Sequence, residues 1–413
     1  MSSYLILTYN VCNMGGAQLY VLRRAKYLIE KGYSVFIVVC FDNGYFPLKD
    51  EFGDIPIWCC SEMNKPYVTV KPKEAERIIK EVGRFACIDD GGIIESHTLC
   101  TIEWGEIIAS SYNCKHLAYP LSETPISNYK WRPGKRVFKD KLIRNELYGL
   151  SDASLDIIFG KPCSPNNYVN VGFDEKELCE KCFPLLKINK QEKDYVISTI
   201  SRLDKTYIEK LIIDTIELAG KYPNQHFILV IAGGSKTGER QNDLFNKYSQ
   251  DRIPSKNLEI IFTGYITSLG RDLFQMSDVF VGTGLAAINS ISQNTVTIVV
   301  DETTDLSTGF FGTDTRNFGY GSLEKSCTIL AKLEEAYVSN SPKREHLISA
   351  GRLLYESEFY TKICFKKLDD AIKRIDNCSH RHSLDVGLVY RFCAYTLEII
   401  KRIIRKLVSF FLR

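Results

Sequence analysis

The sequence predicts an α/β protein with two Rossmann-like domains, each built on a doubly wound parallel sheet. The chain has 413 residues, more than one compact core usually holds, and its 45% hydrophobic and 25% charged residues are ordinary for a globular protein. In both halves, short apolar runs rich in strand formers alternate with segments of helical period. This alternation is typical of parallel sheets whose strands are joined by helices.

The first series of strands starts almost at residue 1 and supports an N-terminal domain over residues 1–185. Gly15 and Gly16 follow the first strand, and a helical segment over residues 19–31 comes next and ends at Gly32. Unbroken apolar runs indicate strands that are buried on both faces. Strands are predicted over residues 4–11, 34–40, 92–96 and 116–120.

A second series follows a charged stretch over residues 183–194 that is typical of a linker. It predicts a C-terminal domain over residues 195–355, with helices such as 207–222 and 269–276 between the strands. A helix over residues 356–376 is expected to return to the N-terminal domain. Strands are predicted over residues 195–200, 227–233, 258–264, 278–284 and 296–302.

Charge and cysteine content exclude several classes of protein. The net charge is only +3, so a basic surface for nucleic acid is not expected. The 14 cysteines show no framework spacing and no export signal precedes them, so we expect reduced thiols in the cytoplasm. The pair Cys179 and Cys182 has no second pair to complete a zinc site, and Asp89-Asp90 is interpreted as a turn rather than a metal site.

The C-terminal tail is the clearest amphipathic segment of the chain. Residues 377–413 contain seven basic and two acidic residues, a net charge of +5. Drawn as a helix, residues 385–413 separate bulky apolar side chains from basic ones, as in helices that lie on anionic lipid. No apolar run reaches 18 residues, so a spanning helix is not expected. We predict peripheral binding to the inner face of the cell membrane; packing on the same protein or on a partner is the alternative.

Five motifs of the second half occur together in one order and spacing. They are SRLDK at 201–205, KYP at 221–223, VIAGG at 230–234, IIFTGYI at 260–266 and SDVFVGTG at 277–284. In this respect the chain resembles the group 1 family of retaining GT-B glycosyltransferases, over residues 4 to about 375. The resemblance implies two Rossmann-like domains facing a central cleft, with the acceptor side in residues 1–185 and the nucleotide-sugar site in residues 195–355. The nucleotide sugar is a substrate, and the resemblance implies no cofactor and no metal.

The resemblance assigns roles at three charged or titratable positions. Arg202 and Lys205 would neutralise the diphosphate of the donor, because a guanidinium pairs with phosphate oxygens and an ammonium acts as a point charge. Lys210 competes with Lys205 for the second role. His97 follows a strand at the place where relatives carry a histidine that touches the donor sugar. For each of these residues a purely structural role is the alternative.

Glycine-rich turns supply the remaining donor-site residues. Gly15 and Gly16 lie between a strand and a helix, where a bare backbone lets a phosphate approach N–H groups and the positive end of the helix dipole; a plain tight turn is the alternative. In the C-terminal domain the resemblance implies contacts to base, ribose and phosphate. These residues are Gly233, Gly264, Tyr265, Ile266, Gly282, Thr283, Gly284, Leu285 and Asn289.

The chain departs from the family at its two signature glutamates. The positions eight residues apart that usually carry them hold Val281 and Asn289. Asn289 still offers one amide oxygen to the ribose hydroxyls. We expect a hexosyltransferase that acts on a glycan or lipid-linked acceptor in bacterial surface polysaccharide biosynthesis. The alternative is a non-catalytic GT-B protein that assists an active transferase; a sugar-nucleotide epimerase is a third reading, less favoured because the tail would serve no purpose in it.

Overall fold

A computed structural model describes most of the chain, and its residues form two compact units. Unit 1 comprises Met1–Asn170 and Phe365–Arg413, and unit 2 comprises Val171–Cys364. The boundary therefore lies before the predicted linker over residues 183–194. The described residues are 2–12, 15–44, 46, 48–88, 91–151, 153–163, 167–182, 188, 190–234, 239–248, 255–266, 268–302, 304–319, 326–377, 394–397, 400–401, 403–404 and 408.

Unit 1 contains a parallel sheet with strand order β3-β2-β1-β4-β5. The strands are β1 (Ser3–Thr8), β2 (Ser34–Val39), β3 (Ile57–Cys59), β4 (Ile93–Ser96) and β5 (Lys115–Ala118). The helices are α1 (Gly16–Glu30), α2 (Lys49–Phe52), α3 (Pro72–Phe85), α4 (Leu99–Ser111), α5 (Arg132–Ile143) and α6 (Ser154–Phe159). All six residues of β1 are buried, as expected for a central strand covered on both faces.

Unit 2 contains a sheet with order β11-β10-β9-β6-β7-β8, parallel except for the antiparallel pair β10 and β11. The strands are β6 (Asp194–Ile200), β7 (His226–Ala232), β8 (Leu258–Gly264), β9 (Val279–Gly282), β10 (Thr297–Val300) and β11 (Ser307–Phe310). The helices are α7 (Tyr207–Lys221), α8 (Glu239–Lys247), α9 (Arg271–Met276), α10 (Leu285–Ser292), α11 (Ile329–Tyr337) and α12 (Ser341–Leu354). The helix α13 (Thr361–Arg374) begins in unit 2 and continues into unit 1.

The predicted α/β class and the two Rossmann-like parallel sheets are confirmed. Every strand predicted from an apolar run is present, within a few residues at each end. Two strands were missed because their signals are weak. β3 is only three residues long, and β11 reads STGF, with Gly309 at a φ of +110° in place of a strand former.

From residue 394 onward, the described residues of the C-terminal tail are helical, and several of their apolar side chains face solvent. Leu397, Ile400, Ile404 and Val408 are each exposed over 46–53% of their surface. Within unit 1, the ammonium of Lys401 lies 5.2 Å from the ring centre of Trp131. Over the described part of the chain, no helix combines the length and the apolar character that crossing a bilayer requires.

Candidate functional site

The carboxyl ends of the strands in unit 2 bring most of the predicted donor-site residues to one edge of the sheet. The strands β6 to β9 run parallel, so the loops that follow them leave from the same edge. The chain order reverses between β6 and β9, because β7 and β8 lie on one side of β6 and β9 lies on the other. Ligands of open α/β sheets bind at such a switch point. Arg202 and Thr283 follow the two strands that flank it.

The loops after β6, β7 and β8 are locked together by backbone contacts. Gly233 donates its N–H to the carbonyl of Gly264 at 3.0 Å, and Leu203 donates to the carbonyl of Gly234 at 3.2 Å. Gly233 has a φ of +142°, and a Cβ there would lie 1.9 Å from the carbonyl oxygen of Ser201. Only glycine fits this position, so packing between loops already explains it. Its predicted contact with the donor stays a prediction.

Tyr265 and Ile266 continue from the end of β8 and have different surroundings. The side chain of Tyr265 is 64% exposed, while its ring lies close to the backbone of Gly234. Ile266 is partly buried against the apolar cluster that covers one face of the sheet. An exposed aromatic ring beside a glycine backbone offers a flat surface to a planar ligand such as a nucleotide base.

The three predicted phosphate-binding cations differ in how firmly they are already paired. The ammonium of Lys205 forms an ion pair with Glu302, which follows β10. Lys210, in the first turn of α7, pairs with the buried Asp214. The side chain of Arg202 is 59% exposed, and its Nε lies 3.7 Å from Oδ1 of Asp204. Arg202 is therefore the cation most accessible to an anionic ligand.

At the glycine turn after β9, the N–H of Gly284 and the hydroxyl of Thr283 are already hydrogen-bonded to a neighbouring carbonyl group. The carbonyl of Phe318 accepts the N–H of Gly284 at 2.6 Å and the hydroxyl of Thr283 at 2.9 Å. Gly284 caps α10 at a φ of +65°, which favours glycine, and Gly282 and Leu285 adjoin the turn in β9 and α10. A phosphate oxygen that accepted this N–H would have to displace the carbonyl oxygen of Phe318 from it. The predicted role of the turn stays a prediction.

The two positions that depart from the family lie in different environments. Val281 is fully buried and packs into the main apolar cluster of unit 2. Asn289, on α10, is only 8% exposed, and its Oδ1 has no hydrogen-bond partner in the described part of the chain. Buried polar atoms are nearly always satisfied, so an unpartnered acceptor at this helix is consistent with a ligand hydroxyl group.

In unit 1, Gly15 and Gly16 begin the first helix after β1. Gly15 is extended, with φ −153° and ψ 169°, and caps α1, which starts at Gly16. The side chain of Gln18 turns back, and its Nε2 donates to Oδ1 of Asn10 at 2.6 Å. A Cβ at Gly15 would lie 2.8 Å from Oε1 of Gln18. The geometry suits both a plain turn and a phosphate contact, so the alternatives remain open.

His97 follows β4 and belongs to a buried charge cluster that the sequence did not reveal. Its Nε2 lies 3.0 Å from Oε1 of Glu95, and its Nδ1 is buried without a hydrogen bond in the described residues. Glu95 also accepts hydrogen bonds from the hydroxyls of Tyr4 and Tyr20 and pairs with Nε of Arg24 at 3.0 Å. Side chains two apart on a strand share a face, so the spacing of Glu95 and His97 was the available signal.

Opposing effects set the charge of Glu95. Burial alone would raise the pKa of this carboxyl, but the Arg24 guanidinium and the hydrogen bonds from His97 and Tyr4 hold it well below its usual range. Glu95 is therefore an anion at neutral pH. On the far side of the guanidinium, Nη1 of Arg24 lies 3.0 Å from Oδ1 of Asp369 in α13. The cluster thus links His97 to the central strands and to α13.

A second histidine in this sheet is structural. His116 in β5 is fully buried, its Nδ1 lies 3.1 Å from Glu106, and its Nε2 lies 2.9 Å from the hydroxyl of Ser96. Burial and the nearby Lys141 lower the pKa of His116 to about 4, against the effect of Glu106, so the ring is neutral at pH 7. Its contacts fix α4 on the sheet.

The cysteines and acidic residues singled out in the sequence do not form a metal centre in the described part of the chain. The residues that the structure describes contain no group of three His, Cys, Asp or Glu side chains arranged to hold a metal ion. Asp89 and Asp90 lie outside the described residues. Cys182 is buried, and its sulfur accepts the N–H of Gly270 at 3.1 Å, whereas Cys179 is exposed with its sulfur 2.9 Å from the hydroxyl of Ser268.

Comparison with known proteins finds similar structures, but it finds no matching family model or curated sequence. A crystal structure of Anabaena HepE in complex with UDP is similar with a TM-score of 0.62 at 14% identity, covering 90% of this chain and 100% of that one. A glycosyltransferase from Rickettsia africae has a TM-score of 0.64 at 14% identity, covering 90% and 98%.

A third similar structure is the lipopolysaccharide outer core galactosyltransferase WaaB in its apo form. Its TM-score is 0.58 at 10% identity, and the match covers 90% of this chain and 99% of that one. At such low identity these likenesses establish the fold. Together with the two parallel sheets, they show that the chain has the GT-B fold.

Proposed function

We propose that this chain is a retaining glycosyltransferase that transfers a hexose from a nucleoside-diphosphate sugar to a membrane-associated glycan or glycolipid in bacterial surface polysaccharide biosynthesis. The observation that carries the proposal is the arrangement around the switch point of unit 2. An accessible guanidinium, Arg202, and an exposed aromatic ring, Tyr265, leave the same sheet edge as the turn at Gly284.

These groups suit the chemistry of a departing diphosphate. Negative charge develops on the diphosphate as the bond to the sugar breaks, and fixed cations stabilise that charge. Arg202 supplies a planar fork that pairs with phosphate oxygens, and Lys205 or Lys210 supplies a second positive charge after release from its carboxylate partner. The acceptor hydroxyl attacks from the face that the diphosphate leaves, so the configuration is retained without a protein nucleophile.

A uridine nucleotide is the donor that the comparisons favour. HepE is described in complexes with UDP, with UDP and glucose, and with UDP-glucose. In this chain the ring of Tyr265 would stack on the base, and Oδ1 of Asn289, which has no partner among the described residues, would accept a ribose hydroxyl. His97, whose Nδ1 likewise has no hydrogen bond within the described part of the chain, would contact the sugar.

The donor site is tested by calorimetric titration with UDP, UDP-glucose and GDP-mannose. We expect wild-type protein to bind UDP, and Arg202→Ala to bind it roughly tenfold to a hundredfold more weakly, because a charged hydrogen bond is lost. Arg202→Lys should recover part of the loss. The matched control is Arg77→Ala in α3, an exposed arginine of unit 1 that pairs with Glu81 one turn along its own helix. Wild-type protein that binds none of these nucleotides would refute the proposal.

A non-catalytic role is the second candidate, and two contacts and one buried side chain favour it. Phe318 occupies the N–H of Gly284, Glu302 holds Lys205, and Val281 is buried where relatives often carry a carboxylate. Under this alternative the protein has a GT-B fold without a working donor site and assists an active transferase. Tight UDP binding with slow hydrolysis of UDP-glucose would favour the enzyme, and absence of both would favour the partner.

The membrane part of the proposal rests on the tail. Leu397, Ile400, Ile404 and Val408 follow one another at intervals of three or four residues, and each leaves about half of its surface in water. Such a stripe gains free energy by entering the interfacial region of a bilayer, and neighbouring basic residues add attraction to anionic lipid. The galactosyltransferase WaaB, named for the lipopolysaccharide outer core, is consistent with an acceptor at a membrane.

Vesicle co-sedimentation tests the tail. Wild-type protein should bind vesicles that contain phosphatidylglycerol. The double variant Ile400→Gln, Ile404→Gln should bind roughly tenfold to a hundredfold more weakly, because two half-exposed apolar side chains no longer enter the lipid. A matched control, Ile143→Gln, changes an exposed isoleucine of unit 1 outside the tail. Equal binding by wild-type protein and the double variant would refute the membrane role.

A further inference from the structure

The loop that joins β10 to β11 in unit 2 carries carboxylates to the sheet edge at which the donor site is proposed. β10 runs parallel to β9, so its carboxyl end lies at the same edge as the carboxyl ends of β6 and β9. The loop covers residues 301–306, with the sequence DETTDL. Asp301 donates its N–H to the carbonyl of Leu306 at 2.9 Å, and its own carbonyl accepts the N–H of Asp305 at 3.1 Å. These backbone bonds hold the two ends of the loop together.

Two side-chain contacts join this acidic loop to the residues that follow β6. Glu302 pairs with the ammonium of Lys205, and Oδ1 of Asp305 accepts the hydroxyl of Thr206 at 2.6 Å. In the sheet, β9 lies between β10 and β6, so the loop contacts residues that follow a strand two positions away, at a spacing of about 9 to 10 Å. The acidic loop therefore lies beside the switch point between β6 and β9, where open α/β sheets bind ligands.

The charges at this point oppose a strongly negative ligand. Residues 201–206 contain two basic and one acidic side chain, and residues 301–306 contain three acidic ones, so the two loops have a net charge of −2. Lys205 is 19% exposed and Glu302 is 39% exposed, so water screens this pair only in part. A phosphate that binds Lys205 leaves the carboxylate of Glu302 close by without its cation. The resulting repulsion grows with the negative charge of the ligand.

The donor and the product of a sugar transfer differ in this charge. In a nucleoside-diphosphate sugar each of the two phosphates carries one negative charge. When the bond between the sugar and the diphosphate breaks, the bridging oxygen stays with the diphosphate. The terminal phosphate then has a second ionisable oxygen, with a pKa of about 6, so the free nucleoside diphosphate carries nearly one more negative charge at pH 8. A carboxylate beside the phosphates therefore disfavours the product more than the donor.

We propose that Glu302 makes the donor site discriminate against its product, because this carboxylate competes with the diphosphate for Lys205 and repels a nucleoside diphosphate more strongly than a nucleotide sugar. This inference rests on the proposed transferase function and adds a specificity-determining residue to it. The contact between Asp305 and Thr206 keeps the loop beside Lys205. When the product leaves, the pair between Glu302 and Lys205 forms again, so the exchange favours release of the product.

Calorimetric titration of wild-type protein and Glu302→Gln, with UDP and with UDP-glucose at pH 8, tests the inference. Glutamine keeps the size of the side chain and removes its charge. Glu302→Gln should bind UDP about threefold to tenfold more tightly than wild-type protein does, and its affinity for UDP-glucose should rise by a smaller factor. The gain for UDP should shrink at high salt, because salt screens the repulsion.

The matched control is Glu334→Gln, which removes the same charge from unit 2. Glu334 pairs with Lys221 at the end of α7, about 20 Å along the helix from its start at Tyr207. This variant should bind UDP as wild-type protein does, and circular dichroism checks that both variants are folded.

Three results with a wild-type protein that binds UDP would overturn this inference alone. They are an affinity of Glu302→Gln for UDP no higher than that of wild-type protein, an equal gain for UDP and UDP-glucose, and the same gain in Glu334→Gln. If neither wild-type protein nor Glu302→Gln binds UDP, the transferase proposal falls together with this inference.

Discussion

Replacing Arg24 by methionine should destabilise unit 1 by about 3 to 5 kcal/mol, because the change leaves a buried carboxylate without its cation. Nε of Arg24 lies 3.0 Å from Oε2 of Glu95, and both side chains are fully buried, so water cannot replace the lost charge. The same guanidinium also pairs with Asp369 on α13. Methionine retains much of the apolar volume, so the loss reflects charge rather than a cavity.

Urea unfolding followed by tryptophan fluorescence measures this loss. The three tryptophans, Trp58, Trp104 and Trp131, all belong to unit 1, so the signal reports on that unit. The double variant Arg24→Met, Glu95→Gln should recover part of the stability, because no unpaired charge remains. Arg77→Met is the control: it removes an ion pair within α3 that water screens, so the free energy of unfolding should stay almost unchanged.

The pH dependence of the free energy of unfolding gives a second test of the Arg24–Glu95 pair. The folded-state pKa of Glu95 is lowered, so its stabilising contribution is present above the unfolded-state pKa of about 4.3 and is lost as the pH falls below it. Wild-type protein should therefore lose stability in acid more steeply than Arg24→Met does. A loss below about 1 kcal/mol for Arg24→Met at pH 7 would refute the reasoning.

Two further predictions concern buried polar groups. In calorimetry, Asn289→Ala should lower the affinity for UDP by roughly tenfold. Its unfolding midpoint should stay almost unchanged, since Oδ1 of Asn289 has no partner among the described residues. An affinity equal to that of wild-type protein would contradict the ribose role. Glu103 accepts the hydroxyl of Tyr129 and the N–H of Tyr67, and burial raises its pKa to about 7. Because of this group, the free energy of unfolding of unit 1 should fall by about 3 kcal/mol as the pH rises from about 4.3 to 7. In urea titrations, Glu103→Gln should abolish this dependence on pH. A dependence that persists in the variant would contradict the assignment.

The sequence predicted the two sheets well because buried parallel strands leave unbroken apolar runs. It also placed Arg202 and Gly284 after the correct strands, since the carboxyl end of each run can be read directly. Contacts between distant residues left no such signal. The carbonyl of Phe318 accepts the N–H of Gly284, which lies 34 residues earlier in the chain. Because every residue has a main-chain carbonyl, the sequence does not show which one will be the acceptor.

Charge clusters were missed for a related reason. Arg24 and Asp369 lie on helices at opposite ends of the chain, and each resembles a solvated residue when viewed locally. Only the fold shows that both are neighbours of Glu95.

The division of unit 1 into two separate stretches of chain has a consequence for synthesis on the ribosome. Residues up to Asn170 emerge early, but Asp369 emerges some two hundred residues later. Until then Arg24 has only part of its final surroundings, whereas unit 2 is continuous and can fold as soon as it is released. The nascent N-terminal stretch should therefore stay protease-sensitive and depend on chaperones until α13 is translated, and its maturation should follow that of unit 2.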